Sequence, residues 1–109
     1  MEIKEIKERY NKLNIFENRG SSEVGDERVF YNQDLDKWNN ILTDIFGPPI
    51  KPPGVRPNKE HLDITIDHGG ILQDQTLFKK DLNEAILIAM LWPWQDKIHT
   101  TLKTVLLKK

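Results

Sequence analysis

"EAILIAMLWPW", Glu84 to Trp94, decides the fold, because it holds the longest apolar run in the chain and its residues point two ways. Ala85, Leu87, Ala89, Met90 and Leu91 favour a helix, Ile86, Ile88 and Trp92 fit a strand, and no helical stripe separates them. The segment after it settles the matter. "IHTTLKTVLL", Ile98 to Leu107, has five β-branched residues in ten. A terminal strand needs a partner, and the nearest is the preceding run, joined through the short "QDK" turn. The pattern predicts a hairpin of residues 85–94 and 98–107. Pro93 removes one ladder bond, a loss tolerated near a strand end. The alternative is a buried helix over residues 82–92, stopped by Pro93.

Upstream lies "HLDITIDHGG", His61 to Gly70. Leu62, Ile64 and Ile66 alternate with His61, Asp63, Thr65 and Asp67. That period of two predicts a strand with one buried face, and "HGG" predicts a turn after it, since paired glycines supply positive φ without strain. "ILQDQTLFKK", Ile71 to Lys80, returns as the next strand, and "DLN", Asp81 to Asn83, turns again. Together with the hairpin this makes a four-stranded antiparallel meander.

The N-terminal half reads as helical. "EIKEIKERYNKLNIFEN" predicts a helix from Glu2 to Glu17, with Ile3, Ile6, Tyr10 and Leu13 on one stripe. Glu5 with Arg9 and Glu8 with Lys12 are i,i+4 pairs in the favoured order. "NRGSSEVGDE", Asn18 to Glu27, reads as a loop, and "RVFY", Arg28 to Tyr31, as a short extended piece. "NQDLDKWNNILTDIFG" predicts a second helix with Asp34 at its N-cap. Its buried face is Leu35, Trp38, Ile41, Leu42, Ile45 and Phe46. Gly47 ends it and Pro48 prevents its continuation. "PPIKPPGVRP", Pro48 to Pro57, holds five of the six prolines and predicts a stiff, exposed connector. Its "PIKP" is a bare PxxP, without the flanking basic residue that orients such ligands.

The expected fold is α+β: two N-terminal helices packed on a four-stranded antiparallel β-meander, in two layers. Residues 1–109 form one domain, with a helical half at 1–47, a proline-rich connector at 48–58 and a β half at 59–109. Two layers leave one sheet face bare, and the third strand is apolar on both sides. Burial at about 25 cal/mol per Å² makes that arrangement wasteful unless a second molecule covers the face. The sequence thus predicts a homodimer.

Composition narrows function. The 109 residues are 38% hydrophobic and 30% charged, enough for a modest core. There is no cysteine, which excludes disulfides, zinc ribbons and thiol nucleophiles. Net charge is -1, and neither half is strongly basic, which argues against nucleic-acid binding. "AILIAMLW" falls well short of the roughly 20 residues a spanning helix needs, and "MEIKEIKERY" is unlike a secretory signal. The expectation is a cytoplasmic protein with no membrane segment.

Chemistry concentrates near the histidines. On a strand, His61 and Asp67 share a face but stand roughly 20 Å apart at 3.3 Å per residue, too far to hold one ion. His61 and Asp63 together are short of a zinc site. The meander offers another grouping, since its first and third turns lie at the same sheet end. Asp67 and His68 then come within roughly 10 Å of Asp96 and His99, flanked by Trp94. Histidine–carboxylate pairs serve as acid–base groups or metal ligands. The chain lacks a phosphate loop, a GxSxG elbow, HExxH and a calcium loop, so no cofactor is implied. The reading is a small non-catalytic binding or interaction protein that self-associates through its sheet or docks on a protein partner. The alternative is a small acid–base or metal-dependent enzyme working at the end formed by residues 67–70 and 92–99.

Overall fold

A computed structural model of the chain describes residues 2–108. In order these form α1 (Ile3–Tyr10), β1 (Glu17–Ser21), β2 (Gly25–Tyr31), α2 (Leu35–Phe46), α3 (Lys59–Thr65), β3 (Thr76–Asp81), β4 (Ala85–Pro93) and β5 (His99–Lys108). Short 3-10 turns follow β2 at Asn32–Asp34 and α3 at Ile66–His68. The strands make one antiparallel sheet in the order β1-β2-β5-β4-β3. The class is α+β, with five strands and three helices rather than four and two. Among the described residues, no helix is long and apolar enough to cross a membrane.

The deciding run is a strand. β4 pairs with β5 from Ala85↔Lys108 to Pro93↔Thr100, and with β3 from Thr76↔Leu91 to Asp81↔Ile86. Leu87, Ala89 and Leu91 enter one core, and Ile88 and Met90 enter another. A strand covered on both faces reads as a continuous apolar run, which is why neither period showed in it. The helical and β halves of the sequence share this sheet, because β2 pairs with β5 from Gly25↔Val105 to Tyr31↔His99.

α1 and α2 cover one face. Trp38 stacks on Phe30 at 5.0 Å and meets Tyr10 edge-on at 5.6 Å. Trp38, Leu42, Ile45 and Phe46 are buried as the spacing predicts, with Leu35 and Ile41 packed against them. Beside them lies a buried ion pair, Arg28 Nε to Asp26 Oδ2 at 2.7 Å, with the guanidinium over the Tyr10 ring. The Tyr10 hydroxyl reaches Thr104 Oγ1 at 3.0 Å, and burial pushes that phenol well above its ordinary pKa. α1 stops at Tyr10 instead of Glu17. Arg9 pairs with Asp44 of α2 at 2.5 Å rather than with Glu5.

The other face is where the sequence reading fails. The expected strand over residues 61–67 is α3, and its cause precedes it. Asn58 caps the helix: its side chain accepts from His61 N at 2.9 Å, and its own N–H donates to His61 Nδ1 at 3.1 Å. This is a capping box with histidine in the place usually held by Glu or Gln. His61, Ile64, Thr65 and His68 form the helical face at spacings of three and four, and His61 and Thr65 are buried there. Thr65 Oγ1 donates to the His61 carbonyl at 2.8 Å. Ile64 and Ile71 pack on Leu77, Ile88, Met90 and Val105. The protein therefore has a third layer, and residues 59–72 cover the face expected to be bare.

The segment 18–27, read as a loop, is instead most of a β-hairpin. Every residue of β1 is exposed, so no hydrophobic alternation announces it. A register shift between Asn18 and Gly20 bulges this edge strand. The proline segment is largely exposed, as expected, but it is pinned at one point. Lys51 is fully buried and bridges Leu77 on the edge strand β3. Its ammonium donates to the carbonyls of Pro52, Gln73 and Gln75, and burial lowers its pKa. An exposed PxxP ligand would have to leave this bridge.

Candidate functional site

Of the five residues singled out in the sequence, Trp94, Asp96 and His99 come together. Asp96 closes the turn between β4 and β5. Its Oδ1 accepts from the backbone N–H of Ile98 at 2.8 Å and of His99 at 3.1 Å, and its Oδ2 lies 2.6 Å from His99 Nδ1. The hydrogen bond with His99, then that from Ile98 N–H, holds the Asp96 carboxyl below its usual pKa. Lys97 takes the left-handed φ of 63° that the turn requires.

The imidazole is boxed by aromatic rings. Its centroid lies 4.3 Å from Phe16, 4.9 Å from Trp94 and 5.3 Å from Tyr31. Trp94 folds over β5, its Nε1 donating to Thr101 Oγ1 at 2.8 Å, and Arg19 sits 5.0 Å above its ring. Phe16, Arg19 and Tyr31 had no signal in the sequence. Phe16 precedes β1, Arg19 lies on β1 and Tyr31 ends β2, where the sequence reading had the first helix, a loop and a short extended piece. The Asp96–His99 pair resembles an acid–base dyad, but Asp96 also fixes the turn backbone and rings surround the imidazole.

Asp67 and His68 are placed differently. Asp67 is exposed. His68 is half-buried and lines a shallow 340 Å³ groove with Arg19, Glu27 and Lys103. The turn at Gly69 and Gly70 does meet the end of β4, but through Trp92. Trp92 Nε1 donates to the Gly70 carbonyl at 3.2 Å. A Cβ at Gly69 would stand 2.5 Å from the Trp92 ring, at a φ of +108°. Among the described residues, no group of three or more His, Asp or Glu can hold a metal ion.

α3 shows an unusual arrangement. Its polar residues His61 and Thr65 face inward, while Leu62 and Ile66 face solvent at 47% and 72% exposure. Leu72, on the same covering segment, is 63% exposed. Ordinary amphipathicity puts the apolar residues inside. The charges along this helix are paired within the chain, Lys59 with Asp63 at 2.6 Å and Glu60 with Lys79 at 3.0 Å. At the opposite end of the sheet, Ile3, Leu82, Ala85 and Leu106 floor a cleft of 1090 Å³ whose rim mixes Lys4 with Glu23 and Glu84. No family model, curated protein or solved structure matches the chain.

Proposed function

We propose that the protein is a non-catalytic interaction module that pairs with a second copy of itself through the outer surface of α3. The observation that carries this reading is the exposed apolar surface of α3 and the 3-10 turn after it, with Leu62 and Ile66 outward while His61 and Thr65 join Ile64 inward. The sequence placed self-association on a bare sheet face. That face is covered by residues 59–72, and the apolar surplus sits on the outside of the cover. The charges on α3 itself are paired within the chain, which limits like-charge repulsion, and a twofold contact would set each stripe against its equivalent.

Sedimentation velocity across micromolar to millimolar concentrations tests it. The expected result is a concentration-dependent dimer that Ile66→Glu converts to monomer with an unchanged circular dichroism spectrum. A single-chain species over the whole range overturns the reading. So does a dimer that ignores both Ile66→Glu and Leu62→Glu.

A further inference from the structure

We propose that the slot between α2, the proline segment and the adjoining ends of β3, β4 and β5 binds a small amine with an apolar body. The slot has a volume of about 290 Å³ and apolar walls of Leu35, Pro49, Pro53, Phe78, Leu91 and Pro93. Ligand pockets run from roughly 300 to 1,000 Å³, so its occupant is smaller than a drug-sized molecule. Its walls are pre-formed. Proline fixes its own backbone, Lys51 bridges the segment to Leu77, and Gly54 N–H donates to the Gln73 carbonyl at 2.8 Å.

The polar side chains in the slot have unused hydrogen-bonding capacity. Among the described residues five threonines are buried, and four of their hydroxyls have partners. Thr65 bonds the His61 carbonyl, Thr100 bonds Asn32, Thr101 bonds Trp94 and Thr104 bonds Tyr10. The fifth, Thr76, is 7% exposed and lines the slot, and its hydroxyl has no partner among the described residues. Among the described residues the buried side-chain atom left without a partner is Trp38 Nε1, so the Thr76 hydroxyl opens onto the slot, where a ligand can bond it in place of solvent. The half-buried Asn39 carboxamide lines the same slot and also has no partner among the described residues.

Charge selects the class of ligand. Among the described residues, Asp74 is the sole charged residue lining the slot. Lys51 feels its field, but the Lys51 donors go to three carbonyls, so the carboxylate keeps its acceptors open. The Asp74 carboxylate interacts with the Lys51 charge but accepts no hydrogen bond from it, so a protonated amine can still bind it directly while an anion is disfavoured. Thr76 and Asn39 then orient the ligand while the proline and phenylalanine rings hold its apolar body.

Amide NMR titrations with phenethylamine, phenethyl alcohol and hydrocinnamate test the proposal, since the three differ mainly in charge at one end. The expected order of affinity is amine, alcohol, acid, with shifts at Asn39, Thr76 and Thr100. Asp74→Asn should weaken the amine roughly tenfold, the worth of one charge-assisted hydrogen bond, and leave the alcohol unchanged. Thr76→Val should weaken both. The proposal is overturned if the acid binds as well as the amine. It is equally overturned if no probe shifts these resonances at millimolar concentration, or if Asp74→Asn leaves amine binding intact. Asp74 is exposed, so that variant tests the site without threatening the fold.

Discussion

The two faces of the sheet are covered in different ways. On one, α1 and α2 bring large side chains, Tyr10, Trp38, Leu42 and Phe46, into a core of twelve buried residues among those described. On the other, a short capped helix, a 3-10 turn and a loop cover a core of five, Ile71, Leu77, Ile88, Met90 and Val105. The first cover turns its apolar stripe inward. The second turns His61 and Thr65 inward and leaves Leu62 and Ile66 in solvent. The difference teaches that burying a strand and presenting a surface are separable tasks. The α1/α2 layer does the first alone. The α3 layer does the first with few residues and leaves apolar surface in solvent.

Matched truncations sharpen this contrast, and they carry the largest expected effects. Leu42→Ala should cost about 3–5 kcal/mol, because the closed core around it cannot collapse into the space left behind. Ile71→Ala should fall nearer 2 kcal/mol, since a loop-borne cover can shift inward. Urea denaturation of both variants measures this. Equal costs would mean that the second cover is packed as rigidly as the first, and the division of tasks would lose its energetic side.

The same contrast explains what could be read in the sequence. α2 was legible because Leu35 through Phe46 carry a full helical stripe. The β4–β5 hairpin was legible through β-branched density in one partner. α3 was not, because its inward face is His61, Ile64, Thr65 and His68, and a helix with a polar inner face has no hydrophobic period to detect. Leu62, Ile64 and Ile66 then imitated a strand. The available clue was Asn58 three residues before His61, a capping box written with an unusual residue. β1 was invisible for a related reason: an exposed edge strand is held by backbone pairing alone, which leaves no mark on side-chain polarity. At the candidate sites, Trp94, Asp96 and His99 were found by their local turn. Phe16 was missed because it was read as part of the first helix, and Arg19 because β1 was read as a loop.

A smaller effect is expected where the second cover meets the sheet. Gly69→Ala forces a Cβ into the Trp92 ring at a positive φ, with an expected cost of about 1–3 kcal/mol. Trp92 fluorescence should report the displacement. Gly70 also has a positive φ, at +79°, but its Cβ would meet nothing within 4 Å. Gly70→Ala should therefore cost less than Gly69→Ala by the steric part alone. If the two variants are equally destabilised, backbone strain dominates and the Gly69–Trp92 contact is not what seats the cover.

The smallest effect belongs to the turn that closes the far side of the second face, and pH exposes it. The hydrogen bonds from His99 and from the Ile98 N–H favour charged Asp96, so its carboxyl is more acidic folded than unfolded. Linkage fixes the sign. A depressed folded pKa adds stability that is fully present above the unfolded value of about 3.9 and is lost as pH falls through the folded pKa. Asp96→Asn keeps an oxygen for the backbone donors but removes the charge. Wild type should thus be the more stable protein at neutral pH, by a constant margin, and the margin should shrink as acid protonates Asp96. Thermal melts of both proteins from neutral to strongly acid pH follow it directly. A margin that persists unchanged into acid would mean that the turn depends on the shape of the Asp96 side chain and not on its charge. The Asp96–His99 contact would then be a packing contact within the ring cluster of Phe16, Tyr31 and Trp94, rather than a hydrogen bond to a charged carboxylate that orients the ring.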